Sequence, residues 1–304
     1  MHLVKGREMK TLRSLIATHW SSDARLDGQT AIVTGGNTGI GKETARDLAS
    51  RGAHVVLACR DMEKAERAVA DIRREVDGAS VVARKLDLAD AKSICEFAET
   101  IYNTEKSLHF LVNNAGVAAC PYSTTADSFE MQFGVNHLGH FFLTFLLLDL
   151  LKHSAPSHVI NVSSMAHLMG KINFEDVNSR KSYHPFRAYA QSKLANVLFT
   201  RELARRVEDL GVTVCAVDPG PVNTEISRHL VWPMQLLQKT FGFMVKTPEE
   251  GSYTTLYCAV TPDIQTGGYY RNCGPALCSR AASDDRVACK LWALSCYLLG
   301  IRWR

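Results

Sequence analysis

The residues of this chain best suited to chemistry are Tyr189 and Lys193, in the run Tyr189-Ala190-Gln191-Ser192-Lys193. The stretch around them is patterned as a helix, and i, i+4 spacing puts phenol and ammonium on one helix face. Interconverting a carbonyl and an alcohol needs a group that gives and takes a proton as hydride moves. A free tyrosine, with a pKa near ~10, is mostly inert as a base. A neighbouring ammonium favours the phenolate, and a serine hydroxyl nearby would steady charge on the substrate oxygen. The same spacing occurs at Tyr102-x3-Lys106, and Tyr183-x3-Arg187 comes close. Tyr102 ends a charged helix ahead of a strand and reads as half of a surface pair. Pro185 lies between Tyr183 and Arg187 and argues against a shared helix. Position relative to the strands favours Tyr189.

A second constellation lies upstream: Thr34-Gly35-Gly36-Asn37-Thr38-Gly39-Ile40-Gly41 follows an apolar run and leads into a helix. Glycines there permit a tight turn and close backbone approach to a pyrophosphate, which the free N–H groups of the helix N-terminus attract. The strand-to-helix context supports a dinucleotide site. Gly36-x4-Gly41-Lys42 nearly matches a nucleoside-triphosphate loop, but Glu43 stands where that loop needs Ser or Thr for magnesium. At the end of the second strand an acidic residue would take the ribose hydroxyls of NAD. Here the run is Cys59-Arg60-Asp61, and Arg60 can make charge-assisted bonds to a 2′-phosphate. Lys42 is a candidate second positive charge, so NADP(H) is favoured over NAD(H). The alternative is that Arg60 is a solvated helix-start residue and Asp61 its N-cap.

Positioning these groups requires alternating strands and helices, and the chain has them. Apolar, β-branched runs at Ala31–Thr34, His54–Ala58, Val81–Leu86, Phe110–Val112, His158–Val162 and Val212–Val217, with a weak one near Tyr269, read as strands. Between them, amphipathic stretches Ile40–Arg51, Met62–Val76, Ala91–Asn103, Ser128–Leu151, Arg187–Asp209 and Pro248–Ala259 read as helices. Strands this apolar throughout are covered on both faces. The expected fold is α/β: a single Rossmann-type, doubly wound parallel sheet of about seven strands with helices on both faces. Residues 28–304 form one domain in this reading, preceded by a segment 1–27.

Composition narrows the function class. The chain is 46% hydrophobic and 22% charged, with a formal charge of +4 and no run of five like charges, which argues against nucleic acid. Nine cysteines at irregular spacings form no metal-ligand pattern and suit a reducing compartment. Apolar stretches in residues 1–27 are too short for a signal or membrane span, as is Leu291–Ile301 with its basic flanks. Phe141–Leu151, broken by Thr144 and Asp149, reads as a buried helix. A cytoplasmic location follows, and any membrane contact would be peripheral.

Together these pieces resemble the short-chain dehydrogenase/reductase family over roughly residues 28–275. The matching motifs are Thr34-Gly35-x3-Gly39-x-Gly41, Leu86-Asp87-Leu88, Asn113-Asn114-Ala115-Gly116, Val135-Asn136-His137, Asn161-Val162-Ser163-Ser164, Tyr189-x3-Lys193 and Pro219-Gly220. The resemblance implies Ser164, Tyr189 and Lys193 as a catalytic triad, with Ser163 the alternative serine and Asn136 extending the triad through a water-mediated relay. It also implies that Gly35, Asn37, Thr38, Gly39, Ile40 and Gly41 cradle the cofactor. Asp87 would border the adenine, Asn113 would lie by the cofactor ribose, and Lys193 would bond the nicotinamide ribose.

Longer phrases are similar to the branch containing retinol dehydrogenases 11 to 14: Asn37–Ala45, Cys120–Ser123, Asn136–His140, Ser192–Phe199 and Leu298–Trp303. That branch implies NADPH-linked reduction of retinal or oxidation of retinol, with lipid aldehydes as other substrates. Leu230–Val245 is rich in Leu, Trp, Met and Phe and follows Pro219-Gly220, where the family has its substrate lid; an apolar lid (about 224–246) suits an apolar substrate. A helix packed on the core accounts for it equally well. Branch members carry an N-terminal hydrophobic anchor, whereas residues 1–27 are short and charged. Either this form is soluble, or it meets the endoplasmic reticulum surface through the lid and C-terminal apolar segment. A steroid or other lipid carbonyl reductase, and a non-catalytic dinucleotide-binding scaffold, are the competing functions. Oligomeric state is left open, although family members often pair through helices flanking the fourth and fifth strands.

Overall fold

Each apolar run read as a strand pairs into one sheet in the computed structural model, which describes residues 20–222 and 245–303. The strands are β1 (Thr30–Thr34), β2 (His54–Cys59), β3 (Val81–Lys85), β4 (Phe110–Asn113), β5 (Ser157–Val162), β6 (Val212–Asp218), β7 (Tyr269–Arg271) and β8 (Gly274–Pro275). Their order is β3-β2-β1-β4-β5-β6-β7-β8, parallel from β3 through β7, with β8 antiparallel. Eight strands replace the expected seven. The eighth is two residues long and returns through a turn with Asn272 and Cys273 both at positive φ, 50° and 55°. Without a glycine there, the turn carries no signal in the sequence.

Helices α1 (Gly39–Ser50), α2 (Met62–Glu75), α3 (Ala91–Thr104), α4 (Met131–His153), α5 (Pro185–Arg206), α6 (Pro248–Val260) and α7 (Asp285–Leu299) cover the sheet. Strand alternation sorts the core into two layers. Ile32, Val56, Leu111 and Val159 face one side with Phe97, Phe141 and Phe199, while Ala31, Val33, Val55 and Val112 face the other with Leu48, Ile72 and Leu256. Helix starts follow side-chain caps: Asp61 accepts from the Lys64 N–H, and Thr247 and Glu250 form a capping box. Pro185 is a first-turn residue of α5, so Tyr183 lies outside the helix that holds Arg187.

By length and composition α4 could cross a membrane, yet 78% of its most apolar stretch is buried inside the fold. It is a core helix, in keeping with the apolar run that predicts it. Its Gly134–Gly139 segment is wound as a π-helix, a widened turn common at functional sites.

Two findings go beyond the sequence. The C-terminal apolar segment forms α7, whose Ala288, Leu291, Trp292 and Ser295 are buried. Trp292 and Trp303 pack edge-on to Phe141, ring centroids 4.9 and 4.8 Å away. One face of the segment is thus turned inward, while Ala293 and Tyr297 stay exposed. Upstream of residue 28, Leu26 is buried and Arg51 bonds the carbonyls of Ser22 and Ala24, so ordered packing begins ahead of the expected domain boundary. Residues 1–19 and the central lid segment, 223–244, lie outside the described residues.

Candidate active site

The sheet changes winding direction between β1 and β4, and a crevice must open at the carboxyl ends of strands there. A cleft of about 360 Å³ occupies that position. Its floor at one end is the turn after β1. Gly35 adopts φ +65°, and α1 begins at Gly39, so its free N–H groups face the cleft. At Gly41 a Cβ would sit 2.5 Å from Asn114 Nδ2 and 3.0 Å from the Gly35 carbonyl carbon, so only glycine fits. Gly35, Asn37, Thr38, Gly39, Ile40 and Gly41 all line the cleft.

Arg60 lines the cleft at the end of β2 with its side chain exposed. Asp61 is indeed the N-cap of α2 and Arg60 is exposed, as the alternative reading expects. Lys42 does not supply the second charge suggested for it: Nζ is 2.7 Å from Asp71 Oδ2, and Lys42 is not among the lining residues. Lys64, one turn into α2, lines the cleft instead. Asp87 lines it too, while its Oδ1 accepts from the Ala89 N–H at 3.0 Å.

Asn113 is the predicted cofactor residue that the structure holds away from the cleft. It is buried, with Nδ2 donating to Asn161 Oδ1 at 2.8 Å and Thr144 Oγ1 at 3.1 Å. Asn114 takes the lining position, its Nδ2 donating to the Thr34 carbonyl at 2.8 Å. Adjacent motif residues face opposite ways at a strand end, so the resemblance, which put Asn113 by the ribose, named the neighbour of the lining residue. The strip Ala115–Val117 and Cys59 also line the cleft; burial pushes the Cys59 thiol up to about 12, so it is an inert wall.

At the far end of the cleft, Ser164, Tyr189 and Lys193 converge. Ser164 lies two residues past β5 and caps a 3-10 turn, Met165–Met169, its Oγ accepting from the Ala166 N–H. Ser163, the alternative, also lines the cleft but is buried, its Oγ donating to the Lys193 carbonyl at 2.9 Å. Ser164 favours the ionised form of the Tyr189 phenol. Lys193 is buried, its Nζ 5.7 Å from the centre of the Tyr189 ring and 3.0 Å from the Val162 carbonyl oxygen. Burial dominates both ionisations. It pushes Tyr189 up to about 12, against the opposing influence of Ser164, and pulls Lys193 down to about 8. The lowering of Tyr189 expected from a nearby ammonium is therefore not found; desolvation sets the direction. Asp218, buried at the end of β6 and accepting from the Gly220 N–H, adds negative potential at both groups.

Asn136, in the π segment, does not line the cleft but borders it. Its Oδ1 accepts from Val117 N–H at 2.8 Å, and Nδ2 donates to the Val117 carbonyl and to Ser192 Oγ, both at 2.9 Å. Of the lid, only its flanks are described. Pro219, Gly220 and Val222 line the cleft, and Val222 bridges to Lys246.

A nucleotide-binding crevice ending in a Ser–Tyr–Lys cluster defines a class, and sequence comparison agrees: the short chain dehydrogenase family profile matches residues 29–233, and the chain belongs to that family. It is an oxidoreductase of CH–OH groups that uses a nicotinamide dinucleotide. Its similarity runs to one branch. It is 53% identical to human retinol dehydrogenase 12 over 284 residues, covering 93% of this chain and 90% of that one. To human retinol dehydrogenase 11 it is 50% identical over 303 residues, covering 99% and 94%. Among solved structures, an uncharacterised protein from Mycobacterium paratuberculosis matches with TM-score 0.77 and 37% identity, covering 92% of this chain and 97% of that one. The Pseudomonas aeruginosa RhlG/NADP active-site complex matches with TM-score 0.67 and 27% identity, covering 81% and 95%.

Proposed function

We propose that this protein is an NADP(H)-dependent oxidoreductase interconverting retinal and retinol, or similar apolar aldehydes and alcohols. The observation that carries it is the convergence of Ser164, Tyr189 and Lys193 at the end of the glycine-floored cleft, in a chain about half identical to retinol dehydrogenases. Gly35–Gly41, Asp87 and Asn114 would hold the dinucleotide, and Lys193 its nicotinamide ribose. The fit is supported by the N–H groups of α1 and by Gly41, where a side chain would fill the cradle. Arg60, with Lys64 beside it, suits a 2′-phosphate. When bound, the cofactor supplies or accepts the hydride.

Tyr189 handles the proton. In the reducing direction its phenol donates to the carbonyl oxygen as that oxygen becomes the alcohol, and Ser164 Oγ steadies the charge that develops there. Burial keeps the phenol protonated at neutral pH, the form able to donate. Lys193 then supplies positive charge beside the ring as phenolate forms. Asn136 extends the proton path behind Lys193. The assay is NADPH oxidation by purified protein with all-trans-retinal. Tyr189→Phe is expected to lower kcat at least about a hundredfold, the usual size of a lost general acid, with NADPH binding retained. Retention of most activity by that variant sinks the assignment.

A further inference from the structure

One buried polar group near the site has no part in the chemistry so far. His140, the first residue after the π segment of α4, is 2% exposed, and both ring nitrogens are bonded. Nε2 lies 2.9 Å from Thr34 Oγ1, and Nδ1 lies 3.1 Å from the main-chain oxygen of Asn136. The hydrogen-bond inventory assigns the tautomer. Thr34 Oγ1 already accepts from the N–H groups of Asn114 and Ala115, each at 2.9 Å, which occupies both lone pairs. Thr34 must therefore donate to Nε2, and the ring proton sits on Nδ1, where only a carbonyl is available to receive it. Burial pulls the imidazole down to about 4, so it is neutral throughout the working range.

The Asn136 amide cannot move a proton. Both of its amide hydrogens and its oxygen are engaged by Val117 and Ser192, and Ser192 Oγ in turn donates to the Tyr189 carbonyl at 2.8 Å. Any part Asn136 takes in a proton path falls to its main-chain carbonyl, whose first lone pair is occupied by His140. A buried hydrogen bond of this kind sets the direction in which the second lone pair points. Through Thr34 the same imidazole is tied to the Asn114-Ala115 turn that lines the cofactor cleft.

We propose that His140 is a positioning residue: its Nδ1–H aims the Asn136 carbonyl toward the Lys193 end of the site and locks that aim to the cofactor-binding turn. The proposal rests on the Tyr189–Lys193 assignment above. It predicts a difference among three substitutions in the full chain. His140→Asn keeps a donor near Nδ1, and the Thr34 proton can turn to the Val112 carbonyl, 3.3 Å away. His140→Gln keeps a group near Nε2 but no donor for Asn136, and His140→Leu keeps neither. Expected with all-trans-retinal are a kcat reduced about tenfold or more in the Leu and Gln variants and within about threefold in Asn, as for loss or retention of one buried hydrogen bond. NADPH binding should shift less than about threefold in all three, a split that general loosening of the fold would not produce.

Wild-type kcat in folded His140→Leu overturns the proposal, as does an Asn variant as impaired as Leu. Tyr189→Phe run alongside separates the two levels. If that variant stays active, the underlying assignment fails; if it is dead while His140→Leu is fully active, only the His140 proposal fails. Should the variants not fold, nitrogen-15 histidine spectra of the unaltered protein test the geometry directly. A proton on Nδ1 at pH 7 is expected, and one on Nε2, or an imidazolium, overturns it.

Discussion

Gly170→Ala perturbs the joint between the two elements that bring Ser164 and Tyr189 together. Gly170 ends the 3-10 turn after Ser164 and lies against α5; a Cβ there would be 2.6 Å from the Ala190 carbonyl oxygen, 2.8 Å from Leu194 Cβ and 3.1 Å from the His167 carbonyl oxygen. Ordinary contact begins at 3.4 Å, so the turn and helix must part by about 0.8 Å. Two of the three obstacles are backbone atoms, which cannot swing aside. Because Ala190 directly follows Tyr189, the displacement falls on the mutual placement of Ser164 and Tyr189 in the cleft rather than on the distant glycine-rich turn. A misplacement of about 1 Å costs on the order of 10² in rate when a reacting group must be aligned, so kcat should fall about 10- to 100-fold. Overpacking should also cost about 1–3 kcal/mol of stability. The assay is steady-state kinetics with retinal and NADPH, beside cofactor binding by fluorescence and a thermal melt. A folded variant with kcat within twofold of wild type would refute the reasoning, and so would a rate loss matched by an equal loss of NADPH affinity.

Two further outcomes are expected. Arg60→Glu should raise the NADPH KM about 10- to 100-fold while improving NADH, since a charge-assisted bond of about 1.5–3 kcal/mol is replaced by repulsion. An unchanged ratio of rates with the two cofactors would remove Arg60 from specificity. Acid should destabilise the fold through its buried histidines: burial pulls His137 to about 3 and His140 and His158 to about 4. Their unfolded forms take up protons below about 6.5, so stability present above that pH is lost as pH falls toward 4, by up to about 4 kcal/mol per unit for the three. Melting temperatures that stay level from pH 7 to 4.5 would contradict this sign.

Much of the site was legible because parallel-sheet enzymes write their chemistry at strand ends. The turn Gly35–Gly41 is readable from glycine spacing, and Tyr189 with Lys193 from helical spacing and company. Arg60 follows from its place after β2. What escaped reading depended on side-chain direction. Asn113 and Asn114 are neighbours in one motif, yet one is buried against Asn161 and the other lines the cleft. Lys42 sits in the first turn as expected, but Asp71, 29 positions away, claims its charge. The ammonium beside Tyr189 predicts a lowered phenol; the depth of the cleft raises it instead.

From the sequence alone come the order of strands and helices, the glycine-rich turn and the i, i+4 spacing of Tyr189 and Lys193. These rest on periodicity and on residue types within a few positions of each other, which local chain geometry dictates. Tertiary structure alone decided the rest: the packing of Trp292 into the core, the sealed Asn136 amide and the two bonding partners of His140. Each depends on partners far apart in sequence, as when Thr34 meets His140 across 106 positions. Burial, not spacing, determines whether such a group is solvated, paired or poised.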